Sequence, residues 1–376
     1  MRRNLGFVCV LFFLALTAGC TGCEISGEGK TSEGNGSLAI MTWNIQALFD
    51  GVEHGTEYDD YSESADWNRE KYRGRVNVIA RAVDGMERKP DVIALQEVES
   101  ETVIADLAAE LSARNYNWTH FATIPGSALG LGLLSRFPLS GARAHAVTVE
   151  GESAPRPMLE ARVTVATGGS LALFNCHWKS KLGGDDATES IRRASARIIV
   201  RRLRELAEAE PDLPVIVMGD LNENYDEFYR RSGAAISALL PDDPRAAEFT
   251  GLYGLADGSY TAATIAGLQK DFIVICKNKP PVTRYFPAGV AALYSPWAAE
   301  LQDGSYYYKN NWETIDHFLL SPQLFDGIGW DFEGCAVVNY PPFVSAKGFP
   351  VAYNPRTGSG LSDHLPLLLF LKMQDE

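Results

Sequence analysis

Residues 358–370 read GSGLSDHLPLLLF. Two ionisable side chains, Asp363 and His364, stand directly before Leu365 to Phe370, an apolar run broken by one proline. A short run of this composition reads as a strand covered on both faces, with Pro366 near its start or on an edge. Gly358 and Gly360 let the preceding loop turn sharply. An acid and a histidine at the lip of a strand form either a polar turn or one corner of a reactive site. Which of the two holds depends on partners elsewhere in the chain.

The same pattern recurs along the sequence. SLAIMTW (37–43) reads as a strand leading to Asn44, and DVIALQEV (91–98) as a strand ending near Glu97. LGLLSR (131–136) and MLEARVTV (158–165) carry strand composition. SLALFNCHW (170–178) ends at His177, and LPVIVMGDLN (213–222) at Asp220 and Asn222. TIDHFLLS (314–321) carries Asp316. These runs are short, continuous and rich in Val, Ile and Leu, as buried strands are. Between them, residues 69–86, 101–113 and 189–210 show apolar positions at helical spacing. There is no internal repeat, and no break after residue 38 marks a second domain. Residues 225–305 are loop-rich and read as an elaboration of the same core.

The 376 residues suffice for one large α/β domain. With 34 Lys plus Arg against 48 Asp plus Glu, the net charge is −14. That excludes nonspecific wrapping of nucleic acid, which phosphate neutralisation drives. It does not exclude an enzyme that touches a few phosphates through a bound cation. Residues 1–19 read as a targeting segment: Arg2 and Arg3, then an apolar stretch from Leu5 to Ala18 too short to span a bilayer. LTAGC ends at Cys20 and resembles a bacterial lipobox, although Leu16 sits four residues before the cysteine rather than three. This predicts a protein of the bacterial cell envelope, lipid-anchored at Cys20, with Cys23 or plain secretion as alternatives. Residues 20–37 are rich in Gly, Ser, Thr and Glu and read as a flexible tether, followed by a domain over 38–376. Cys23, Cys176, Cys276 and Cys335 show no zinc spacing, and three disulfide pairings stay open.

Six motifs in order resemble the endonuclease/exonuclease/phosphatase superfamily, the DNase I-like phosphoesterases. They are TWNIQ (42–46), LQEVE (95–99), NCHWKSK (175–181), GDLNE (219–223), TIDHFLLS (314–321) and SDHLPLL (362–368). The resemblance implies a four-layer α/β sandwich, two central mixed β-sheets flanked by helices, with the site at one edge. It implies metal-assisted hydrolysis of a phosphate ester by Mg²⁺, with Mn²⁺ as a substitute and Ca²⁺ also conceivable. Such a hard cation takes few carboxylates and keeps its waters. The resemblance makes Glu97 the principal metal ligand, with Asn44 adding an amide oxygen. Asp220 can orient and deprotonate water, and Asn222 can donate to a phosphate oxygen. His364 acts as acid or electrostatic clamp, backed by Asp316. Asp363 alternates to the other face, toward metal or phosphate, and His177 flanks the phosphate from the far side. His317 reads as structural.

Residues 179–204 hold eight Lys or Arg against Asp185, Asp186 and Glu189. Arg197 to Arg204 read as an ordinary charged helix face, whereas Lys179, Lys181 and Arg192 lie nearer the motif, with Lys179 and Arg192 as candidate phosphate contacts. Trp43, Trp178 and Trp312 adjoin motif positions and could stack on bases or pack in the core. RPMLEA (156–161) and ESIRRASA (189–196) resemble envelope-attached nuclease-like members. The favoured expectation is a nuclease acting on DNA or RNA. The alternatives are a phospholipid-directed enzyme, with YSPW (294–297) or GSYYY (304–308) entering a membrane, and a non-catalytic surface-binding lipoprotein.

Overall fold

Val-, Ile- and Leu-rich runs just long enough for strands, separated by amphipathic segments, set the order of elements. A computed structural model describes residues 36–149, 152–154, 156–166, 168–233, 236–246, 271–279 and 291–374. The signal segment, Cys20, Cys23 and the tether up to residue 35 lie outside the described residues, as do 247–270 and 280–290 of the loop-rich stretch. The chain forms β1 (Ser37–Leu48), α1 (Arg69–Asp84), β2 (Val92–Val98), α2 (Glu101–Glu110), β3 (Trp118–Ala122), β4 (Gly130–Ser135) and β5 (Leu139–His145). A small hairpin of β6 (Thr148–Val149) and β7 (Glu152–Ser153) precedes β8 (Met158–Val165), β9 (Gly169–His177), α3 (Asp185–Ala209) and β10 (Val215–Asp220). Next come α4 (Glu227–Arg230), β11 (Leu239–Pro241), β12 (Ile273–Cys276), β13 (Ala291–Tyr294) and α5 (Pro296–Ala299). The hairpin of β14 (Tyr306–Tyr308) and β15 (Asn311–Glu313), then β16 (Asp316–Leu320), β17 (Trp330–Val337) and β18 (Leu367–Met373), complete it.

Two large sheets result, in strand orders β17-β18-β1-β2-β4-β3 and β11-β12-β13-β16-β10-β9-β8-β5. β1 runs parallel to β2, and β9 parallel to β10, with antiparallel partners outside each pair. Alternation along each strand explains the layering. On β1, Leu38 and Ile40 face the second sheet, while Met41, Trp43 and Ile45 face α1 and α2. On β10, Ile216 and Met218 face the first sheet, while Val215 and Val217 meet Ile199, Val200 and Leu203 of α3. Helices, sheet, sheet and helix therefore stack as the expected four layers. Asn68 caps α1 by accepting from the amides of Glu70 and Lys71, and Ser100 caps α2 at Val103.

One polar cluster interrupts the apolar layer between the sheets. Asn175 on β9 and Gln96 on β2 are fully buried. Gln96 Nε2 donates to Asn175 Oδ1 at 2.7 Å and to Thr42 Oγ1 at 3.1 Å. Asn175 Nδ2 donates to the carbonyls of Leu95 and Gly132 at 3.0 and 2.9 Å. The amide groups thus fasten β9 to β2 and β4 across the sandwich.

Expected and observed elements differ in three places. α3 begins at Asp185, a turn before the apolar periodicity starts, where Gly183 and Gly184 release the chain. β1 continues through Asn44 to Leu48. β18 is an interior strand, so Pro366 sits just before its start and not on an edge. Among the described residues Cys176, Cys276 and Cys335 form no disulfide, which removes the pairings among them. Asn175→Ala would remove a partner from Gln96 Nε2 and from the carbonyls of Leu95 and Gly132, all buried on the first sheet, each costing about 1–3 kcal/mol. The expected outcome in denaturant unfolding is a loss of about 3 kcal/mol or more. A variant as stable as the wild type would show the cluster to be dispensable.

Candidate active site

Strand register performs the first step of assembly. Asp220 on β10 pairs with His177 on β9 and with Asp316 on β16, so three candidate side chains stand abreast at one edge of the second sheet. Gly219, with φ 124°, permits the approach: a Cβ there would lie 2.0 Å from the Cys176 carbonyl oxygen.

In the first sheet both central strands leave the regular ladder at the same edge. The β1–β2 register shifts between Asn44 and Leu48, and the β2–β4 register between Gln96 and Val98. Gln46, Ala47 and Glu97 take φ values of 55°, 56° and 65°. Non-glycine residues in this left-handed region cost about 1–3 kcal/mol each and serve to re-aim side chains. Arg75 of α1 stabilises the bend by donating to the carbonyls of Ile45, Gln46 and Ala47 beneath the Tyr353 ring.

The two edges meet at Asp220. Asn44 Nδ2 donates to Asp220 Oδ2 at 3.0 Å and to Glu97 Oε1 at 3.3 Å. Asn44 Oδ1 faces away and accepts from the Gln46 amide. His177 Nε2 stands 3.4 Å from Asp220 Oδ2 and 3.8 Å from Glu97 Oε1. Asp220 Oδ1 accepts from the Asn222 amide, while the Asn222 side chain donates to the Trp178 carbonyl. His364 Nδ1 meets Asp316 Oδ2 at 2.8 Å, and its Nε2 lies 4.0 Å from Asp220 Oδ2. Ser305 Oγ also donates to Asp316 Oδ2. Ser362 Oγ accepts from the His364 amide and donates to the Asn44 carbonyl, and Trp43 Nε1 donates to the His364 carbonyl. Asp363 is half-buried on the same rim, its amide held by Gln46 Oε1.

Burial sets the electrostatics. It opposes a charge on His364, but Asp316, then Asp363 and Asp220, outweigh it and push the imidazole up to about 10. Burial pushes Asp220 up to about 7, with His364 opposing and Asp316 adding to the shift. Burial, followed by Arg156 and His364, holds His177 well below the ordinary imidazole range. At neutral pH the site thus holds one imidazolium and one neutral imidazole. His317 is buried with Nε2 on the Glu223 carbonyl, a structural position.

Glu97 forms no ion pair with Lys or Arg among the described residues, and its side chain keeps 19% exposure. Its carboxylate faces the acidic pocket of Asp220. An oxygen-rich pocket open to water, with its Glu97 carboxylate unpaired by Lys or Arg, fits a hard divalent ion held by one or two carboxylates.

The basic residues fall elsewhere. Arg192 is fully buried and spends its donors on Glu189, Glu223, Thr188 and the Asp185 and Lys179 carbonyls, so it cannot reach a substrate phosphate. Lys179 Nζ donates to Ser180 and to the Leu182 carbonyl. Lys181 pairs with Glu227, Arg193 with Asp271, and Arg202 with Glu160. Trp43 and Trp178 are buried and cannot stack on bases, whereas Trp312 is half-buried against Tyr307 and Phe349. Tyr294 and Trp297 of YSPW are core residues, and Trp297 Nε1 donates to the Asp316 carbonyl. Sequence reasoning passed over Arg156 as a site residue. Its charge reaches Tyr58, His177 and Lys179, and it is hydrogen-bonded to Tyr58. It passed over Tyr306 too, which stacks on His364 at 4.5 Å. RPMLEA, an arginine between two prolines before β8, is the only signal that pointed to Arg156.

Residues 39–249 match the model of the Endonuclease/Exonuclease/phosphatase family. No curated protein matches the chain by sequence. An endonuclease/exonuclease/phosphatase of Beutenbergia cavernae DSM 12333 is 18% identical with TM-score 0.50, covering 90% of this chain and 72% of that one. A mannosyl-6-phosphatase of Bacteroides thetaiotaomicron VPI-5482 is 16% identical (TM-score 0.48; 89% and 99% covered). The human Nocturnin catalytic domain is 15% identical (TM-score 0.47; 90% and 96% covered). The sequence match spans more than half of the 376 residues and takes in Asn44, Glu97, His177 and Asp220. The chain belongs to the endonuclease/exonuclease/phosphatase family, a family of metal-dependent phosphoesterases.

Proposed function

We propose that the protein is a divalent-cation-dependent phosphodiesterase, with nucleic acid as its favoured substrate. One observation carries this reading. Asp220 is flanked by a neutral His177 and by a His364 imidazolium that Asp316 backs, with Glu97 across from it. Asp220 Oδ2 is placed to orient an attacking water and take its proton. His364 Nε2–H, fixed by Asp316 at Nδ1, stabilises negative charge growing on the phosphoryl oxygens. His177 adds a second donor from the opposite flank. Asn44 holds the Glu97 and Asp220 carboxylates in place through its amide nitrogen, a positioning role in place of the expected metal contact through oxygen. Mg²⁺ or Mn²⁺ held at Glu97, with Asp363 on the same rim, would supply Lewis-acid neutralisation of the phosphoryl group.

Ring stacking supports the substrate class. Tyr308, half exposed, stacks on Tyr306, which stacks on His364. Tyr58 and Arg156 stand on the Glu97 side. A row of rings leading to a phosphate pocket suits a base joined to a phosphodiester. The phospholipid alternative loses YSPW, which is buried. Attachment to the cell envelope through Cys20 belongs to the same proposal and rests on residues 1–37 alone.

Residues 24–376 should hydrolyse bis(p-nitrophenyl) phosphate, plasmid DNA or RNA with Mg²⁺ or Mn²⁺ and stop with EDTA. Activity on sphingomyelin alone would overturn the nucleic-acid assignment, and metal-independent or absent activity the enzymatic one. His364→Ala should lower kcat by about 10²–10⁴-fold with an unchanged circular dichroism spectrum. A near-normal kcat would demote the motif to a turn.

The raised His364 pKa makes a separate, metal-free prediction. Its value moves from about 6.5 when unfolded up to about 10 when folded. A raised pKa contributes stability that is complete below pH 6.5 and is lost as pH climbs through 10. In EDTA, Asp316→Asn should therefore cost more unfolding free energy at pH 6 than at pH 10. An equal cost at both would disprove the charged pair.

A further inference from the structure

The loop after β1 folds over the end of β2 and gathers a second group of ligand-type side chains. One ligand atom from each of Asp50, His54 and Glu99 lies within 4.8 Å of the others. Among the described residues none of them, nor the adjacent Glu57, is ion-paired with Lys or Arg, and His54 is their shared neighbour. Backbone amides satisfy part of the group. The Asp50 amide donates to Glu99 Oε2, and the Val52 amide to Asp50 Oδ1. The amides of His54, Gly55 and Thr56 enclose Glu57. One atom is left over. Glu99 Oε1 is buried, on a side chain only 7% exposed, and finds no hydrogen-bond partner among the described residues. It points at His54 Nδ1, 3.4 Å away.

A buried carboxylate oxygen beside a second acid, with only an exposed imidazole near it, is costly in its charged form, and a cation would offset that cost. The 3.4 Å between His54 Nδ1 and Glu99 Oε1 fits one. Two ligands on a tetrahedral ion with bonds of about 2.1 Å lie about 3.4 Å apart. The mixture of carboxylate and imidazole selects among ions, because Mg²⁺ and Ca²⁺ prefer oxygen alone. We propose that Asp50, His54 and Glu99 form a second cation site, for Zn²⁺ or Mn²⁺, distinct from the Glu97 pocket. Glu57, its oxygens held by amides, backs the His54 side. A cation here would pin the 49–57 loop to β2 just past Glu97.

The test is metal binding, so its outcome is separate from that of the hydrolase reading. Chelator-stripped full chain is titrated with Zn²⁺ by calorimetry and with Co²⁺ by visible absorption. His54 is exposed, so His54→Ala should fold normally, and circular dichroism checks this for Glu99→Gln. Each variant should bind one equivalent fewer than wild type, and the imidazole-dependent Co²⁺ absorption should vanish in His54→Ala. Glu97→Gln should retain that absorption and the equivalent. Unchanged stoichiometry in His54→Ala and Glu99→Gln, or loss of all binding in Glu97→Gln, would overturn the proposal.

Discussion

Two fully buried amides, Asn175 and Gln96, fix how the sheets lie on each other. Apolar faces such as Ile40 and Val92 against Leu171 and Ile216 favour contact but tolerate sliding. Hydrogen bonds inside a dry layer do not, because any slip strands polar groups without water. Asn175 precedes His177 by two residues, and Gln96 immediately precedes Glu97. The constraint on sheet register thus lies directly under the residues that must meet across it.

Neither sheet carries a site alone. The second supplies His177, Asp220 and Asp316 in register, and the first supplies Asn44, Glu97 and His364. Asp220 is where they join, since Asn44, His177 and His364 all face its Oδ2. Burial gives the two histidines opposite fates. His364 sits against Asp316 and gains a proton, whereas His177 finds no hydrogen bond at Nδ1 among the described residues and feels Arg156 and His364 instead. Two identical side chains facing one carboxylate oxygen become a cation and a neutral donor.

The layers were legible because buried strands are continuous apolar runs, and eight were readable as such. The half-exposed strands β3, β5 and β17 were not, since their composition is mixed and their burial depends on neighbours far along the chain. The site positions were legible because strand ends concentrate polar residues after apolar runs. Contact partners were not. The sequence around Arg192 shows a dense run of cations but cannot show that Glu189 and Glu223 consume one of them. Arg75 likewise reads as an ordinary helix residue until β1 bends to offer it three carbonyls.

That misreading of α3 shows how the active edge is held. Glu97 and Asn222 both sit in the left-handed region, an expense the surroundings must offset. On the β10 side the offset comes from the cations that resembled a substrate patch. Arg192 ties Glu223, next to Asn222, to Glu189 and to the Lys179 carbonyl. Lys181 and Asn224 converge on Glu227, and Asn224 also reaches Glu313. Arg192 is inaccessible and Lys181 is paired, so neither is free to bind phosphate. They keep the turn after Asp220 rigid enough for its carboxylate to stay between two histidines, which is what the chemistry at that edge requires.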